Sequence, residues 1–214
     1  YVAVAFDKGK TFRHEEFPEY KAQRPKMAED LAPQFARVRQ IVEAFGFPIY
    51  EVEGFEADDV IGTLAGQAAR SGIDVIIVTG DTDTLQLVEP HVRVVVTRRG
   101  ITDTIVYDEA AVRERYGLDP AQLSDLRGLR GDPSDNIPQI PGVGDKTATT
   151  ILQTYGSVEN AFAHLKEMDA RLREKLDGYR EQAERNKRLA TIVCDALVEL
   201  DLARCRVRMA DREK

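Results

Sequence analysis

Eight carboxylates are grouped in four short clusters along this chain of 214 residues, and two of the clusters directly follow apolar, strand-like runs. They are Asp7, Glu56, Asp58, Asp59, Asp81, Asp83, Asp132 and Asp135. Open α/β sheets place their ligands at the carboxyl ends of strands, so the clusters are expected to meet there. Because like charges repel, such a group needs cations, and oxygen-only ligands suit hard ions such as Mg²⁺ or Mn²⁺. The sequence therefore predicts a metal-dependent phosphate chemistry.

Each acidic cluster also has a purely structural interpretation. Asp58 and Asp59 open a predicted helix, where acids are favoured by the helix dipole. Asp81 and Asp83 are equally well explained as turn or capping residues after a strand, and the stretch GDPSDN is typical of Asx-turns. The joint occurrence of the four clusters, in this order and at this spacing, favours the metal hypothesis.

The glycine-containing segment IPQIPGVGDKTATTIL is the second candidate site. Gly142 and Gly144 allow a tight turn and a close approach of the backbone to a ligand, and the helix that follows presents free N–H groups to an anion. Lys146 and Thr147 add a cation and a hydroxyl group at the start of that helix. A further helix, predicted over Pro120 to Leu129, precedes the loop. Helix, glycine hairpin and helix together predict a grip on a DNA backbone that positions the duplex without reading its bases.

The net charge of −7 argues against an overall basic footprint for nucleic acid, but the distribution of charge matters more than the sum. Six basic residues crowd into one early segment, although such a run is also typical of a solvated surface. They are Lys8, Lys10, Arg13, Lys21, Arg24 and Lys26. A local basic patch beside a metal-filled acidic pocket could hold a polyanion.

The elements that must position these residues change in type along the chain. Strands are predicted for VAVAF, IYEV, DVIIVT, VRVVV and TIVY, with helices over Pro33 to Phe45 and Ala57 to Arg70. Beyond them the helical candidates are Glu109 to Tyr116, Pro120 to Leu129, Lys146 to Tyr155, Val158 to Leu165 and Arg171 to Val193. We therefore predict an α/β core over residues 1–107, with a mainly parallel sheet and helices on both faces, and a helical subdomain over residues 108–214.

Several classes of protein are disfavoured by composition. No apolar run approaches the roughly 18 residues of a membrane span, and the beginning of the chain lacks the pattern of a signal peptide, so we expect a cytoplasmic protein. Cys194 and Cys205 fit neither a zinc motif nor a disulfide framework, and the three histidines are widely dispersed. The chain begins with Tyr1, and a strand starts almost at once, which suggests that an upstream piece is missing.

Four ordered motifs carry a resemblance to a known family. FRHEEFPEYKAQR, GFEADDVIGTLA, VTGDTDTLQLV and GLRGDPSDNIPQIPGVGDKTA together resemble the 5′ nuclease (5′→3′ exonuclease) domains of bacterial DNA polymerase I, in the flap endonuclease family. The resemblance covers essentially the whole chain. It implies a PIN-like core followed by a helix-hairpin-helix subdomain, and hydrolysis of phosphodiester bonds at 5′ ends and flaps of DNA, or of RNA primers, in replication and repair.

The resemblance also implies roles for the candidate residues. Two Mg²⁺ or Mn²⁺ ions would share the pocket, one activating the attacking water and the other stabilising the leaving oxygen, with no protein nucleophile. The first would be held by Asp7, Glu56 and Asp58, the second by Asp81, Asp83 and Asp135, with Asp58 able to bridge, while Asp59 and Asp132 match metal-motif positions without a defined role.

The basic and glycine-containing segments receive roles by the same resemblance. Lys21 and Arg24, in an arch segment over about residues 8–30, would clamp the scissile phosphate, and Arg13 would contact a phosphate. The hairpin over Gly142 to Thr147 would hold downstream duplex DNA, with a K⁺ ion on its carbonyl groups. The substrates implied are DNA with a 5′ flap, a nick or an RNA primer.

One departure from the family pattern bears on activity. The family begins with a central strand ending in a further metal-binding Asp, several tens of residues before the position of Asp7. We therefore expect this chain to lack one ligand of the first metal and part of its core. The closing stretch LVELDLARCRVRMADREK resembles the exit toward a polymerase region on the same parent chain.

Two other functions remain as alternatives. Asp81-Thr82-Asp83-Thr84 fits the DxDxT signature of haloacid-dehalogenase-type phosphatases, in which the first Asp is a covalent nucleophile. A non-catalytic, structure-specific DNA-binding module is the second alternative, and it gains weight if the upstream strand is absent from the functional protein.

Overall fold

Strands alternate with helices over the first half of the chain, as the sequence predicts. The computed structural model describes residues 1–25, 27–100 and 102–207. In chain order the elements are β1 (Val4–Ala5), α1 (Phe12–Glu16), α2 (Ala32–Ala44), β2 (Ile49–Tyr50), α3 (Ala57–Arg70), β3 (Val75–Thr79), β4 (Val92–Arg99) and β5 (Asp103–Tyr107). A 3₁₀ helix over Thr82–Leu87 connects β3 to β4.

The second half of the chain is helical. Its elements are α4 (Glu109–Tyr116), α5 (Leu123–Arg130), α6 (Asp145–Tyr155), α7 (Val158–Ala163), α8 (Ala170–Leu176), α9 (Arg180–Ala190) and α10 (Leu202–Cys205). The prediction of one helix over Arg171 to Val193 is wrong, because the chain turns between α8 and α9. Gly178 lies at that turn with φ of +78°, a left-handed conformation that interrupts a right-handed helix.

The strands form two small sheets rather than one. β1 pairs with β2 in parallel, while β4 lies between β3, which is parallel to it, and β5, which is antiparallel. The predicted class, a mainly parallel arrangement with helices, is confirmed, but the single central sheet is not present among the described residues. A groove of about 500 Å³ lies between the two sheets, lined by β1, β3 and apolar side chains of α3 that include Ile61 and Leu64.

One continuous core joins the sheet to the helical half. Ile77 and Val94, from adjacent strands, belong to the same buried cluster as Leu129 of α5 and Ile151 of α6. Burying each such side chain contributes about 2 kcal/mol relative to leaving it exposed. The helices that carry the second candidate site are therefore fastened directly to the strands that carry the first.

Apolar side chains are exposed on α2 and β3. Phe35, Val38, Ile41 and Phe45 follow one another at helical spacing on α2 and are about half exposed, and Ile76 and Val78 of β3 are exposed along the groove between the sheets. A search of the described helices for one long and apolar enough to cross a membrane finds none.

Candidate active site

The first acidic clusters meet at the amino end of α3. Glu56 is the N-cap of this helix and forms a reciprocal capping box with Asp59, whose Oδ2 accepts from the Glu56 amide at 2.9 Å. Asp7, after β1, accepts from the amide of Ala57 at 2.8 Å. Free amides and the helix dipole both favour negative charge at this end of a helix. The local sequence thus brings Asp7, Glu56 and Asp58 together.

The cluster after β3 lies next to α3. Asp81 caps the 3₁₀ helix by accepting from the amide of Asp83 at 2.8 Å, so both acids leave the strand end in a fixed turn. Burial, followed by the charges of Asp81, Glu56 and Asp7, raises the pKa of Asp58 to about 7. These carboxylates therefore share one environment, as expected for the carboxyl ends of neighbouring strands.

The fourth cluster reaches the same pocket from the helical half. Asp132 accepts from the amide and the hydroxyl of Ser134 at 2.9 and 2.6 Å, which forms the predicted Asx-type turn and presents Asp135. Burial raises the pKa of Asp83 to about 7; the positive charge of Arg127 opposes this shift, and Asp81, Asp132 and Asp135 add to it. All four clusters thus contribute to a single acidic pocket.

Two of the predicted metal ligands are engaged internally: Asp132, which accepts from Ser134 and Arg127, and Asp59. Its side chain is fully buried, and Arg13 donates to both of its oxygens at 2.7 Å. Arg13 is itself 3% exposed and also donates to the carbonyl groups of Leu189 and Thr191. The geometry therefore corrects two sequence-based roles: Asp59 is not available to a metal, and Arg13 is not available to a phosphate. The two residues form an internal clamp.

The basic segment lies over the pocket, as the resemblance implies for Lys21 and Arg24. The Lys21 ammonium lies 2.7 Å from Glu56 Oε1 and 3.9 Å from Asp135 Oδ2. Arg24 donates to Asp135 Oδ1 at 2.7 Å and is half exposed. Lys21 has φ of +56°, uncommon outside glycine. Lys8 and Lys10 are exposed, and Lys26 lies outside the described residues.

Two residues of the pocket were missed by sequence reasoning. Tyr20 is buried, and its hydroxyl donates to Asp135 at 2.9 Å and to Glu56 at 3.2 Å. Burial, with the charges of Glu56 and Asp135, raises the pKa of Tyr20, so the hydroxyl stays protonated as a donor. Arg127, on α5, contacts Asp83 and Asp132. Tyr20 directly precedes Lys21 in the motif that identified Lys21, so the motif could have revealed it. Arg127 is an arginine in a helical stretch, and nothing in the sequence showed that it would be buried against Asp83 and Asp132.

The donor chemistry of the pocket fits hard divalent cations, because its ligand atoms are carboxylate oxygens crowded by like charge. Within residues 1–25, 27–100 and 102–207, no three acidic, histidine or cysteine side chains already stand in positions to hold one ion. Lys21 and Arg24 contact two of the carboxylates, Glu56 and Asp135. The side chains that could hold a metal are those facing the pocket, namely Asp7, Glu56, Asp58, Asp81, Asp83 and Asp135.

The glycine hairpin is built from a short, local segment. Ile140 and Val143 are fully buried and anchor it, and the amide of Val143 donates to the carbonyl of Ile140 at 3.0 Å. Gly142, with φ of +75°, makes the turn in the left-handed region. Gly144 is the N-cap of α6 with φ of −91°, so its backbone does not demand glycine, and a methyl group there would find its nearest neighbour 4.0 Å away.

Basic side chains lie on the surface around the hairpin. Lys146 is exposed at the first turn of α6 and lines a cleft of about 550 Å³ together with Thr149, Thr150 and Arg115. The Arg115 guanidinium lies over the rings of Tyr107 and Tyr116, at 5.4 and 5.0 Å from their centres. Such stacking restricts the side chain and presents its charge to the cleft.

Comparison with known proteins agrees with the motifs. Residues 1–117 match the 5′-3′ exonuclease N-terminal resolvase-like domain, and residues 118–213 match the 5′-3′ exonuclease C-terminal SAM fold. DNA polymerase I of Bacillus caldotenax is 49% identical over 216 residues, and that of Chloroflexus aurantiacus is 50% identical over 218 residues. The alignments cover 100% and 99% of this chain but 25% and 23% of those proteins, so the chain spans about a quarter of their length.

A solved structure supports the same assignment. The bacteriophage T5 flap endonuclease co-crystallised with metal ions superposes with a TM-score of 0.75 at 27% identity, over 89% of this chain and 75% of that one. The predicted resemblance and the predicted fold class are thereby confirmed. The chain belongs to the 5′-3′ exonuclease family.

Proposed function

We propose that this chain hydrolyses phosphodiester bonds at the 5′ ends and flaps of DNA, in a reaction that depends on divalent metal ions. One observation carries the proposal: four acidic clusters from distant parts of the sequence meet in one pocket, directly beneath Lys21 and Arg24. Membership of the 5′-3′ exonuclease family supports it, as do T5 relatives crystallised with metal ions and with DNA.

The metal ligands follow from which carboxylates face the pocket. In this proposal Asp7, Glu56 and Asp58 hold one Mg²⁺ ion, and a second set holds the other. That second set is Asp81, Asp83 and Asp135. When bound, the two ions supply an activated water and stabilise the leaving oxygen of the phosphodiester. Asp132 supports this arrangement from outside, because its hydrogen bonds to Ser134 shape the turn that presents Asp135.

The two cations above the pocket bind and orient the scissile phosphate. Lys21 and Arg24 contact carboxylates at 2.7 Å, so a phosphate entering the pocket passes within reach of both side chains. Arg can donate two N–H groups to phosphate oxygens, whereas Lys acts as a point charge. Negative charge that develops on the phosphate during attack is stabilised by these groups.

In this proposal the hairpin and the cleft beside it bind the DNA duplex. Amides at the start of α6, with Lys146 and Thr147, contact the phosphate backbone, and Arg115 extends the contact along the cleft. These contacts read no bases, which suits a substrate defined by its shape, such as a 5′ flap, a nick or an RNA primer. A K⁺ ion on the hairpin would share the Gly142 carbonyl with Lys175, whose ammonium donates to it at 2.9 Å.

We propose a division into an α/β core over residues 1–107 and a helical subdomain over residues 108–214, with a groove between the two sheets of the core. Among the described residues, β1 and β3 each have an unpaired edge there, among apolar side chains. We propose that the family's first strand, with its further Asp, fills this groove in the parent protein. A polymerase region on the same parent chain also remains a proposal, consistent with the length of the relatives.

The decisive experiment compares binding and single-turnover cleavage of one 5′-flap substrate, with Mg²⁺ and with a chelator, in this chain and in a form extended by the residues preceding Tyr1. We expect metal-dependent cleavage in the extended form. Lys21→Ala should lower the single-turnover rate more than the affinity, since its contact is strongest in the transition state. Lys166→Ala, which removes an exposed lysine outside the basic segment, is the control.

Other outcomes would select the alternatives. Flap binding without cleavage in both forms would favour the non-catalytic DNA-binding module. A phosphoaspartate trapped on Asp81 would favour the phosphatase. Weaker binding with an unchanged chemical step in Lys21→Ala would show that Lys21 only helps to hold DNA.

A further inference from the structure

Arg127 connects the two halves of the molecule at the acidic pocket. It lies on α5 and is 5% exposed. Its Nη2 contacts Asp83 Oδ1, in the connection after β3, and its Nε donates to Asp132 Oδ2 at 3.0 Å. The guanidinium thus uses two of its nitrogens, Nε and Nη2, to fix two carboxylates that are 49 residues apart in the sequence.

Stability alone explains this arrangement poorly. Taking an arginine and its carboxylate partners out of water costs several kcal/mol per ion, and well-packed apolar residues of similar volume are often equally stabilising. What the charged group supplies is geometry, because the planar guanidinium has N–H directions that are fixed relative to one another. Asp132 is held independently by Ser134, so it anchors Arg127, and Arg127 in turn orients Asp83.

We propose that Arg127 is a positioning residue that holds the Asp83 carboxylate in the orientation needed to bind a divalent cation. The proposal rests on the metal centre of the proposed function and deepens it. The orientation of Asp83, which follows β3, then depends on the position of α5, a helix of the second half of the chain. Arg127 itself touches neither substrate nor metal in this role.

The test measures Mn²⁺ binding by calorimetry without DNA, alongside urea unfolding, on the form of the protein that cleaves flap DNA. We expect Arg127→Met to weaken Mn²⁺ affinity by about 10- to 100-fold, the range typical of residues that orient a metal ligand. Arg127→Lys keeps the charge but has one donor nitrogen in place of two with fixed directions, so it should also weaken binding. In an Asp83→Asn background, neither change at Arg127 should have a further effect, because the carboxylate that Arg127 orients is gone.

A partly buried ion pair between α5 and α9 provides the control. Lys187 contacts Asp125 of α5 at 2.8 Å, away from the acidic pocket. Lys187→Met should lower stability while leaving Mn²⁺ affinity unchanged. If Arg127→Met does not fold, Arg127→Lys decides the question.

The outcomes separate this proposal from the function on which it rests. Unchanged Mn²⁺ affinity in Asp83→Asn would refute the metal centre itself. Weaker affinity in Asp83→Asn but normal affinity in a folded Arg127 variant would overturn the positioning role alone. An effect of Arg127 that persists in the Asp83→Asn background would overturn it as well.

Discussion

The acidic pocket and the glycine hairpin are built in opposite ways. The pocket assembles side chains from residue 7 to residue 135, and its supporting clamp reaches residue 191. The hairpin turns within a few consecutive residues, and its anchors Ile140 and Val143 are buried in the common core. The pocket crowds like charges, whereas the hairpin offers backbone amides and scattered cations. The comparison teaches that the proposed chemistry and the proposed grip depend on different kinds of contact, so that each should be removable without the other.

The largest expected effect comes from the pocket. Asp81→Asn in the complete domain should slow flap cleavage by about 10⁴-fold, equivalent to about 5 kcal/mol, because it removes a proposed metal ligand. Flap binding should stay within about twofold, since the hairpin is untouched. Single-turnover kinetics and fluorescence anisotropy on one substrate measure both quantities. Asp103→Asn, an exposed acid on β5, is the control, and wild-type turnover of Asp81→Asn at saturating Mg²⁺ would refute the assignment.

The second largest effect is on stability, and it separates Asp59, which is paired internally with Arg13, from the acids that face the pocket. Arg13→Met should cost about 4 kcal/mol of unfolding free energy, because it leaves the carboxylate of Asp59 buried and unpaired. The matched control is Arg39→Met, because Arg39 contacts Glu51 with the same two bonds of 2.7 Å but at the surface. Arg39→Met should lower the unfolding free energy far less than Arg13→Met does. Urea unfolding measures both. Equal losses would show that Arg13 and Asp59 are not an internal clamp.

The third effect is a loss of duplex binding without a change in the acidic pocket. Gly144→Val should weaken duplex binding by about tenfold for every base sequence, because a larger side chain blocks the approach of phosphate to the α6 amides. Its φ is negative, so stability should change by about 1 kcal/mol or less. Gly142→Val should lose about 1–2 kcal/mol of stability in addition, since its φ is +75°. Anisotropy with two unrelated duplexes, and urea unfolding, provide the measurements. Normal duplex binding by Gly144→Val would show that the hairpin only joins two helices and does not contact DNA.

The smallest effect concerns the edge of the gripping surface. Arg115→Ala should make the plot of log affinity against log salt less steep by about 0.9, the amount expected for one lost phosphate contact. Arg113→Ala should leave the slope unchanged, because Arg113 is paired with Glu109, one turn earlier on α4, and with Asp119, just beyond the end of that helix. A salt titration of duplex binding tests the pair. Identical slopes in the two variants would confine the gripping surface to the hairpin.

The same contrast explains what sequence reasoning could predict. Hairpin and helix starts depend on neighbouring residues, so Gly142 and the Asx-turn at Asp132 were predictable from local patterns. The carboxylates of the pocket were identified by type, but which of them is consumed internally depends on contacts such as Arg13 with Asp59, 46 residues apart. Arg127 was missed for the same reason. The break between α8 and α9 was missed because the helical periodicity around Gly178 outweighed a single glycine.

The Arg13 clamp also sets an order of events during synthesis. Arg13 donates to the carbonyl groups of residues that follow it by 176 and 178 positions, and Asp59 accepts from the amide of Val193 at 2.8 Å. Contacts of such long sequence separation form late, because the intervening chain must first be available and collapsed. A ribosome must therefore release almost the whole domain before the base of the pocket can close. The hairpin depends on contacts of shorter sequence separation, such as that of Gly142 with Lys175, so it can form earlier on the nascent chain. In the proposed function, the grip on DNA would therefore be built before the site of cleavage.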